Sequence, residues 1–293
     1  RLNVIPARVE VVKEIRVKRA CKSCDGIDLQ EGSAPAIRTA EGKKHLIPGS
    51  IATSSLLAWS ISEKFELALP FYRQEKRLEY IGAKISRTNL SNWAIKAAKA
   101  CKPLIEFMHS SIKSGSVINA DETRLQVLKE KGRSAENLSW MWIFKGGPPG
   151  KQAVIFHYSP TRASSVPKKY LNDYSGWLQT DGFKCYHTAL KYLNRNRGEE
   201  DKINHTLCWA HARRKFHDAW KANKSPVADE ALTYIRRIFD IEDLRKDYSS
   251  RGFMKQRKNR AELIFEEFKR WLVKMYPETL PELLIGKAMN YTI

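Results

Sequence analysis

Apolar residues change their spacing twice along this chain, and each change marks a boundary between kinds of structure. Residues 1–49 mix short Val/Ile runs, such as Val9-Glu10-Val11-Val12, with a Gly-, Pro- and Ser-containing stretch that ends in Ile47-Pro48-Gly49-Ser50. That composition predicts a small irregular module and a linker. From Ile51 the apolar positions take helical spacing, giving one helix over 51–65, a second entered through Pro70 and a third after Gly82. In the third, Leu90, Trp93, Ala94 and Ala97 share a face, and Ser86 and Thr88 are capping candidates. Three short helices with a glycine-bearing turn before the last predict a helix-turn-helix domain over residues 50–114.

The period then shortens to that of strands. Val117-Ile118-Asn119-Ala120-Asp121, Ser139-Trp140-Met141-Trp142-Ile143-Phe144 and Ala153-Val154-Ile155-Phe156-His157-Tyr158 read as an antiparallel meander, with Gly146-Gly147-Pro148-Pro149-Gly150 as one turn. A helix from about Ser164 to Leu171 leads to a fourth strand, Trp177-Leu178-Gln179-Thr180-Asp181. After another helix, His205-Thr206-Leu207-Cys208 is a fifth strand, running into a basic helix from Ala210 to about Lys221. This order is that of a ribonuclease-H-like domain, here residues 115–293, and the fold class is mixed α+β or α/β. Such a domain carries one acid on its first strand and one at the end of its fourth, as Asp121 and Asp181 stand here. From Asp229 the pattern is helical again, with Ile264, Phe268, Trp271, Leu272 and Met275 on one face. A helical insertion follows from that pattern, its aromatic stripe serving as core.

Composition narrows the partner. With 293 residues, 42 % of them hydrophobic, the chain can form two or three compact units. Its 52 Lys and Arg against 32 Asp and Glu leave a net charge of +20, which favours a polyanion, above all nucleic acid. No apolar stretch approaches a bilayer span and no lipidation signal occurs, so a membrane partner is not expected. Five cysteines with no secretory signal point to a reducing, cytoplasmic compartment. The chain begins with Arg1, which implies processing or a segment of something longer.

Asp121 and Asp181 lie 181 − 121 = 60 residues apart. Phosphoryl transfer uses hard oxygen ligands to hold Mg²⁺ or Mn²⁺, and two strand-end aspartates suit that task. Each taken singly is also an ordinary strand exit, since Asp-Glu-Thr and Thr-Asp-Gly are common turn sequences. Cys21-x-x-Cys24 is half of a structural zinc site, which needs four ligands. Cys208-x-x-His211 has ligand-like spacing at a strand-to-helix junction; a buried thiol with a hydrogen-bonded histidine explains it equally well.

These segments carry a resemblance. Ala120-Asp121-Glu122-Thr123, Leu138-Ser139-Trp140-Met141-Trp142, Leu178-Gln179-Thr180-Asp181-Gly182-Phe183 and above all Cys208-Trp209-Ala210-His211-Ala212-Arg213-Arg214-Lys215-Phe216 closely resemble the IS66 family of bacterial transposases. Leu69-Pro70-Phe71-Tyr72-Arg73-Gln74 and Pro281-Glu282-Leu283-Leu284-Ile285-Gly286-Lys287-Ala288 are similar to family segments too. The resemblance implies a DDE transposase that nicks transposon ends and joins them to target DNA. Asp121 and Asp181 would be its first two acids and Mg²⁺ ligands, with His211 in an active-site role. The family's third acid lies in an Asp-Asn-Asn-x-x-Glu motif that this sequence, ending at Ile293, does not contain; one metal ligand is therefore expected to be missing. The family also pairs a CxxC like Cys21 and Cys24 with an earlier one, so zinc here would have an incomplete site.

DNA contacts are expected from Arg87, Asn89, Asn92 and Lys96 on the polar side of the third helix, and from Arg213, Arg214 and Lys215. Each set also reads as a plain solvated face. The partners implied are transposon ends, target DNA and further copies of the chain. Two competing readings are a transposon-derived DNA-binding protein without catalysis and a ribonuclease-H-like nuclease that cuts without joining.

Overall fold

The structure, a computed structural model, describes residues 8–20, 37–247 and 249–293. Its chain forms two units, Arg1–Glu106 and Phe107–Ile293. In the first, β1 (Lys18–Ala20) and β2 (Ile37–Thr39) pair antiparallel and are exposed throughout. Then come α1 (Ser54–Phe65), α2 (Phe71–Tyr80) and α3 (Arg87–Ala100). The hydroxyls of Thr53 and Ser86 accept the Leu56 and Asn89 amides, fixing where α1 and α3 start. Gly82, at φ 88°, makes the left-handed turn between α2 and α3. Leu57, Leu78, Leu90 and Trp93 form the core of these helices. Gln74, fully buried, crosslinks them: Ser60 Oγ donates to its Oε1 at 2.6 Å, and its amide donates to the carbonyls of Ser60 and Leu69. The Leu69–Gln74 segment thus has a structural reason for its sequence.

Helix α4 (Lys102–Lys113) runs across the boundary, and Met108 and Ile112 belong to the core of the second unit. That unit is built on β3 (Val117–Gln126), β4 (Leu138–Gly146), β5 (Ala153–Ser159), α5 (Ser165–Tyr170), β6 (Gly176–Thr180), α6 (Lys184–Leu193) and β7 (Ile203–Leu207). Four further helices follow: α7 (Trp209–Asn223), α8 (Pro226–Asp243), α9 (Ser250–Met275) and α10 (Leu284–Thr292). The strands form one mixed sheet in the order β5-β4-β3-β6-β7. Pairing is antiparallel from β5 to β3 and parallel from β3 to β7.

Strand periodicity gives the sheet two unlike faces. Ile118, Ala120, Trp142, Phe144, Ile155, Leu178 and Ile203 point to one side and pack with Ile112, Tyr170, Tyr186 and Leu190 of α4, α5 and α6. Phe144 stacks on Tyr170 at 3.7 Å between centroids, and Trp142 meets Tyr186 edge-on at 5.8 Å. The alternate positions, among them Val117, Val154, Phe156 and Trp177, remain exposed. Helices α7 to α10 make a separate core around Phe216, Ile235, Phe268, Leu272 and Met289, while Ile264 joins Ile238 and Ile241. The aromatic stripe of α9 is core material, as its spacing predicts. No helix among the described residues is long and apolar enough to cross a membrane.

One boundary differs from the expectation. β3 continues through Gln126, so Asp121 lies within the strand rather than at its end. The cause is unequal pairing: contact with β6 stops at Asn119, whereas β4 stays paired as far as Gln126 with Leu138.

Entry into β3 depends on a close backbone approach, because a Cβ on Gly115 would lie 2.7 Å from the backbone of Gly147. Gly115→Ala is expected to destabilise the chain by about 1–3 kcal/mol through forced backbone shifts. Gly198→Ala, where a Cβ meets nothing within 4 Å, should stay within about 0.5 kcal/mol. Urea denaturation of both variants checks the contrast.

Candidate active site

The parallel register of β3 and β6 pairs Val117 with Trp177, Ile118 with Leu178 and Asn119 with Gln179, a constant offset of 60 residues. Asp121 and Asp181 each lie two residues beyond the last of these pairs; Asp121 shares the open face of β3 with Asn119, and Asp181 directly follows Thr180, the last residue of β6. Those two amides bond each other at 2.6 Å, tying the strands together just before the acids. Asp121 is opposite Ile143 on its β4 side, and its side chain is 55 % exposed against 23 % for Asp181.

Each carboxylate is oriented by a nearby backbone amide. Glu122 N–H donates to Asp121 Oδ1 at 2.9 Å, and Phe183 N–H donates to Asp181 Oδ1 at 2.9 Å. Their second oxygens face basic side chains: Asp121 Oδ2 lies 3.9 Å from His211 Nε2, and Asp181 Oδ2 lies 3.8 Å from Arg162. Gly182, at φ 77°, turns the chain out of β6 and donates its N–H to Thr180 Oγ1 at 3.0 Å. Thr180 also bonds His205 Nε2 at 2.8 Å across to β7.

His211 reaches Asp121 from the first turn of α7, whose N-terminus is the Cys208 junction at the end of β7. Its Nδ1 is buried without a hydrogen-bond partner. The Cys208 carbonyl accepts from Tyr291 Oη of α10 at 3.5 Å, which docks the last helix against this junction. Arg213, Arg214 and Lys215 follow on the exposed side of α7. Arg87, Asn89, Asn92 and Lys96 are all exposed on α3, in the other unit. Cys21 and Cys24, with the zinc expectation they carry, lie outside the described residues.

Sequence reasoning missed Glu122 and Arg162. Glu122 shares the buried face with Ile118 and Ala120, and its side chain is fully buried. Burial pushes its carboxyl above the ordinary value, opposed by hydrogen bonds from Tyr186 and Arg162. Arg162 Nε donates to Glu122 Oε1 at 2.7 Å, and Tyr186 Oη donates to Oε2. The same guanidinium lies 3.3 Å from the Phe183 ring centroid and 4.7 Å from that of Trp140. Arg162 therefore bridges the buried carboxylate and Asp181 while held by two aromatic rings. The available signal was period two: Glu122 is a charge at a core position of its strand.

As donors, Asp121 and Asp181 fit a hard divalent cation, which binds one or two carboxylates and fills its remaining positions from water and substrate phosphates. Among the described residues no group of three or more His, Cys, Asp or Glu is gathered to hold a metal.

Removing Arg162 would leave Glu122 buried without its countercharge. Arg162→Ala is expected to lose about 3 kcal/mol of unfolding free energy, read from urea denaturation. His205 supplies a pH test. Burial, then the neighbouring His187, lowers its pKa from 6.5, so the unfolded chain takes up the proton first. Stability contributed by neutral His205 is complete above pH 6.5 and falls as pH drops towards the folded value. His205→Gln should flatten part of that acid-side loss in denaturation curves taken on either side of pH 6.5, leaving the share due to His157, which burial also lowers.

Comparison with known proteins follows this geometry. The uncharacterized protein y4jD of Sinorhizobium fredii is 29 % identical, covering 100 % of this chain and 56 % of its own length. A second protein of that organism, y4qI, also uncharacterized, is 29 % identical over 92 % of this chain and 49 % of its own. The chain thus spans about half the length of the curated relatives it matches. A chain of the simian T-cell lymphotropic virus intasome, solved by cryoEM in complex with PP2A regulatory subunit B56 gamma, aligns over 57 % of this chain and 62 % of its own. Its TM-score of 0.24 and 13 % identity give that alignment no weight. The profile of the Transposase IS66 family matches residues 49–293, and the chain belongs to that family.

Proposed function

We propose that this chain carries the two-aspartate part of a DDE transposase active site, on a ribonuclease-H-like sheet, and acts on DNA. The observation that supports the reading is the β3–β6 register, in which Asp121 and Asp181 hold equivalent positions two residues past the last pair. The strand order, with two antiparallel pairings on one side of β3 and two parallel pairings on the other, supports the fold assignment. Family membership supports transposition as the biological role, and the net charge of +20 supports a polyanionic partner.

Asp121 and Asp181 would hold Mg²⁺ or Mn²⁺, which when bound would supply charge stabilisation at phosphate oxygens and a more acidic water or hydroxyl. The backbone amides of Glu122 and Phe183 orient the two carboxylates before substrate arrives. Arg162, at 3.8 Å, places positive charge beside Asp181. His211 stands within reach of a phosphate held at Asp121, either as a hydrogen-bond donor or as a proton carrier. Cleavage at element ends and joining to target DNA are the expected reactions.

Residues 50–114 are read as a DNA-binding helical domain whose exposed Arg87, Asn89, Asn92 and Lys96 suit base edges and phosphates. Residues 1–49 are read as a partial zinc-binding module, and assembly of several copies on DNA is part of the same proposal. A second reading, DNA binding without cleavage, is favoured by the exposed basic residues of α3 and α7.

Asp121→Asn and Asp181→Asn test the assignment. Each should weaken Mn²⁺ binding at least about tenfold in calorimetric titration, since one of two charged ligands is lost. Each should also cut cleavage of a plasmid bearing the element's ends by about a hundredfold or more, with DNA affinity within about twofold by gel shift. Cleavage retained in either variant refutes the site. Cut but unjoined products would instead mark a nuclease.

A further inference from the structure

Helices α7 and α8 face each other across a cavity of about 720 Å³. α7 contributes Arg213, Arg214 and Trp220 to it, and α8 contributes Leu232, Arg236 and Phe239. On each helix these positions fall three, four or seven residues apart, or adjoin within such a stripe, so each set shares one face. The lining therefore combines three guanidinium groups with an aromatic and aliphatic floor.

The three arginines differ from their neighbours. Arg237 is paired with Glu267 at 2.7 Å and Arg257 with Glu242 at 2.5 Å, whereas Arg213, Arg214 and Arg236 make no ion pair among the described residues. One carboxylate, Asp229, also lines the cavity, which leaves arginine charge in excess by two. Lys224 Nζ lies 3.5 Å from the centre of the Trp220 ring, adding a further cation beside the cleft.

We infer that this cleft binds unpaired nucleotides of a DNA strand that passes over Asp121 and Asp181. Three features select that ligand. Uncompensated arginines match phosphates, and Phe239 and the face of Trp220 opposite Lys224 offer surfaces on which bases stack. The volume falls within the roughly 300–1,000 Å³ of small-molecule pockets, so it takes one or two nucleotides and excludes a duplex. Position supplies the link to chemistry. Ala210 heads the α7 lining and is the neighbour of His211, which approaches Asp121. From His211 to His217 in the cleft, six residues at about 1.5 Å each give a rise of about 9 Å. A strand with one phosphate at the carboxylates therefore reaches the cleft with its next few nucleotides.

The inference rests on the carboxylate reading for its orientation, and its test is separable from that reading. Anisotropy of a short fluorescein-labelled oligonucleotide, single-stranded or as duplex, is followed over a salt series with the whole chain and with Trp220→Ala, Trp220→Phe and Arg236→Gln. Trp220→Ala should weaken single-strand binding about tenfold and duplex binding far less, and Trp220→Phe should restore most of the loss. Arg236→Gln should reduce the slope of log affinity against log salt by about 0.7 for the single strand. Unchanged single-strand binding in Trp220→Ala and Arg236→Gln overturns the inference. So does an equal loss on single strand and duplex. Equal loss in Trp220→Phe and Trp220→Ala also counts against it, because stacking would then not be the cause. Failure of the carboxylate reading appears in the Mn²⁺ titration of Asp121→Asn and Asp181→Asn, and failure of the cleft appears in these anisotropy curves of the Trp220 and Arg236 variants.

Discussion

Parallel pairing of β3 with β6 fixes the rest of the second unit. A one-residue slip of either strand would send every side chain to the opposite face, moving Ile118 and Leu178 into solvent and turning one acid away from the other. Burial of Ile118 and Leu178, both at 0 % exposure, thus fixes the register that gives Asp121 and Asp181 equivalent positions past the last pair. Hydrophobic packing on one face and carboxylate geometry on the other are a single constraint. The amide bond between Asn119 and Gln179 reinforces it from the open face.

That constraint places Glu122 where a charge is costly. Following Asp121 in the strand, it must point into the core, and the structure compensates with Arg162, Tyr186 and no exposure to water. Arg162 is then fixed by Glu122 on one side and by the Phe183 and Trp140 rings on the other. Its guanidinium comes to rest 3.8 Å from Asp181. A buried ion pair of this kind adds little net stability, because desolvation consumes most of the attraction. What it contributes here is position: a guanidinium fixed by Glu122 and two aromatic rings, 3.8 Å from Asp181 Oδ2.

Much of this was legible in the residues. Alternation over Val117–Asp121 and the apolar run before Asp181 identify two strands, and their place as first and fourth predicts neighbouring acids. The capping role of Ser86 and the core role of Phe268 are also readable, since both follow from local spacing. The far end of β3 was not, because its last residues are paired on the β4 side alone and carry no apolar alternation. Arg162 was invisible for another reason: it lies in a loop 40 residues from Glu122, and only the sheet brings them together. The cleft between α7 and α8 is intermediate. Its stripes have helical spacing, yet nothing in either helix alone shows that the two face one another.

Helix α7 divides its work by angle. At about 100° per residue, Ala212, Phe216 and Ala219 turn inward, where all three are buried. His211 is carried towards Asp121, while Arg213, Arg214 and Trp220 fall on the side facing α8. The Cys-Trp-Ala-His-Ala-Arg-Arg-Lys-Phe run is therefore three overlapping stripes, each with its own environment. A single-residue insertion in that run would rotate His211 away from the carboxylates, or else the arginines away from the cleft, because the buried stripe can satisfy only one register. The same packing that holds α7 against Phe268 and Met289 thus sets the spatial relation between the candidate catalytic carboxylates and the arginine-lined cleft.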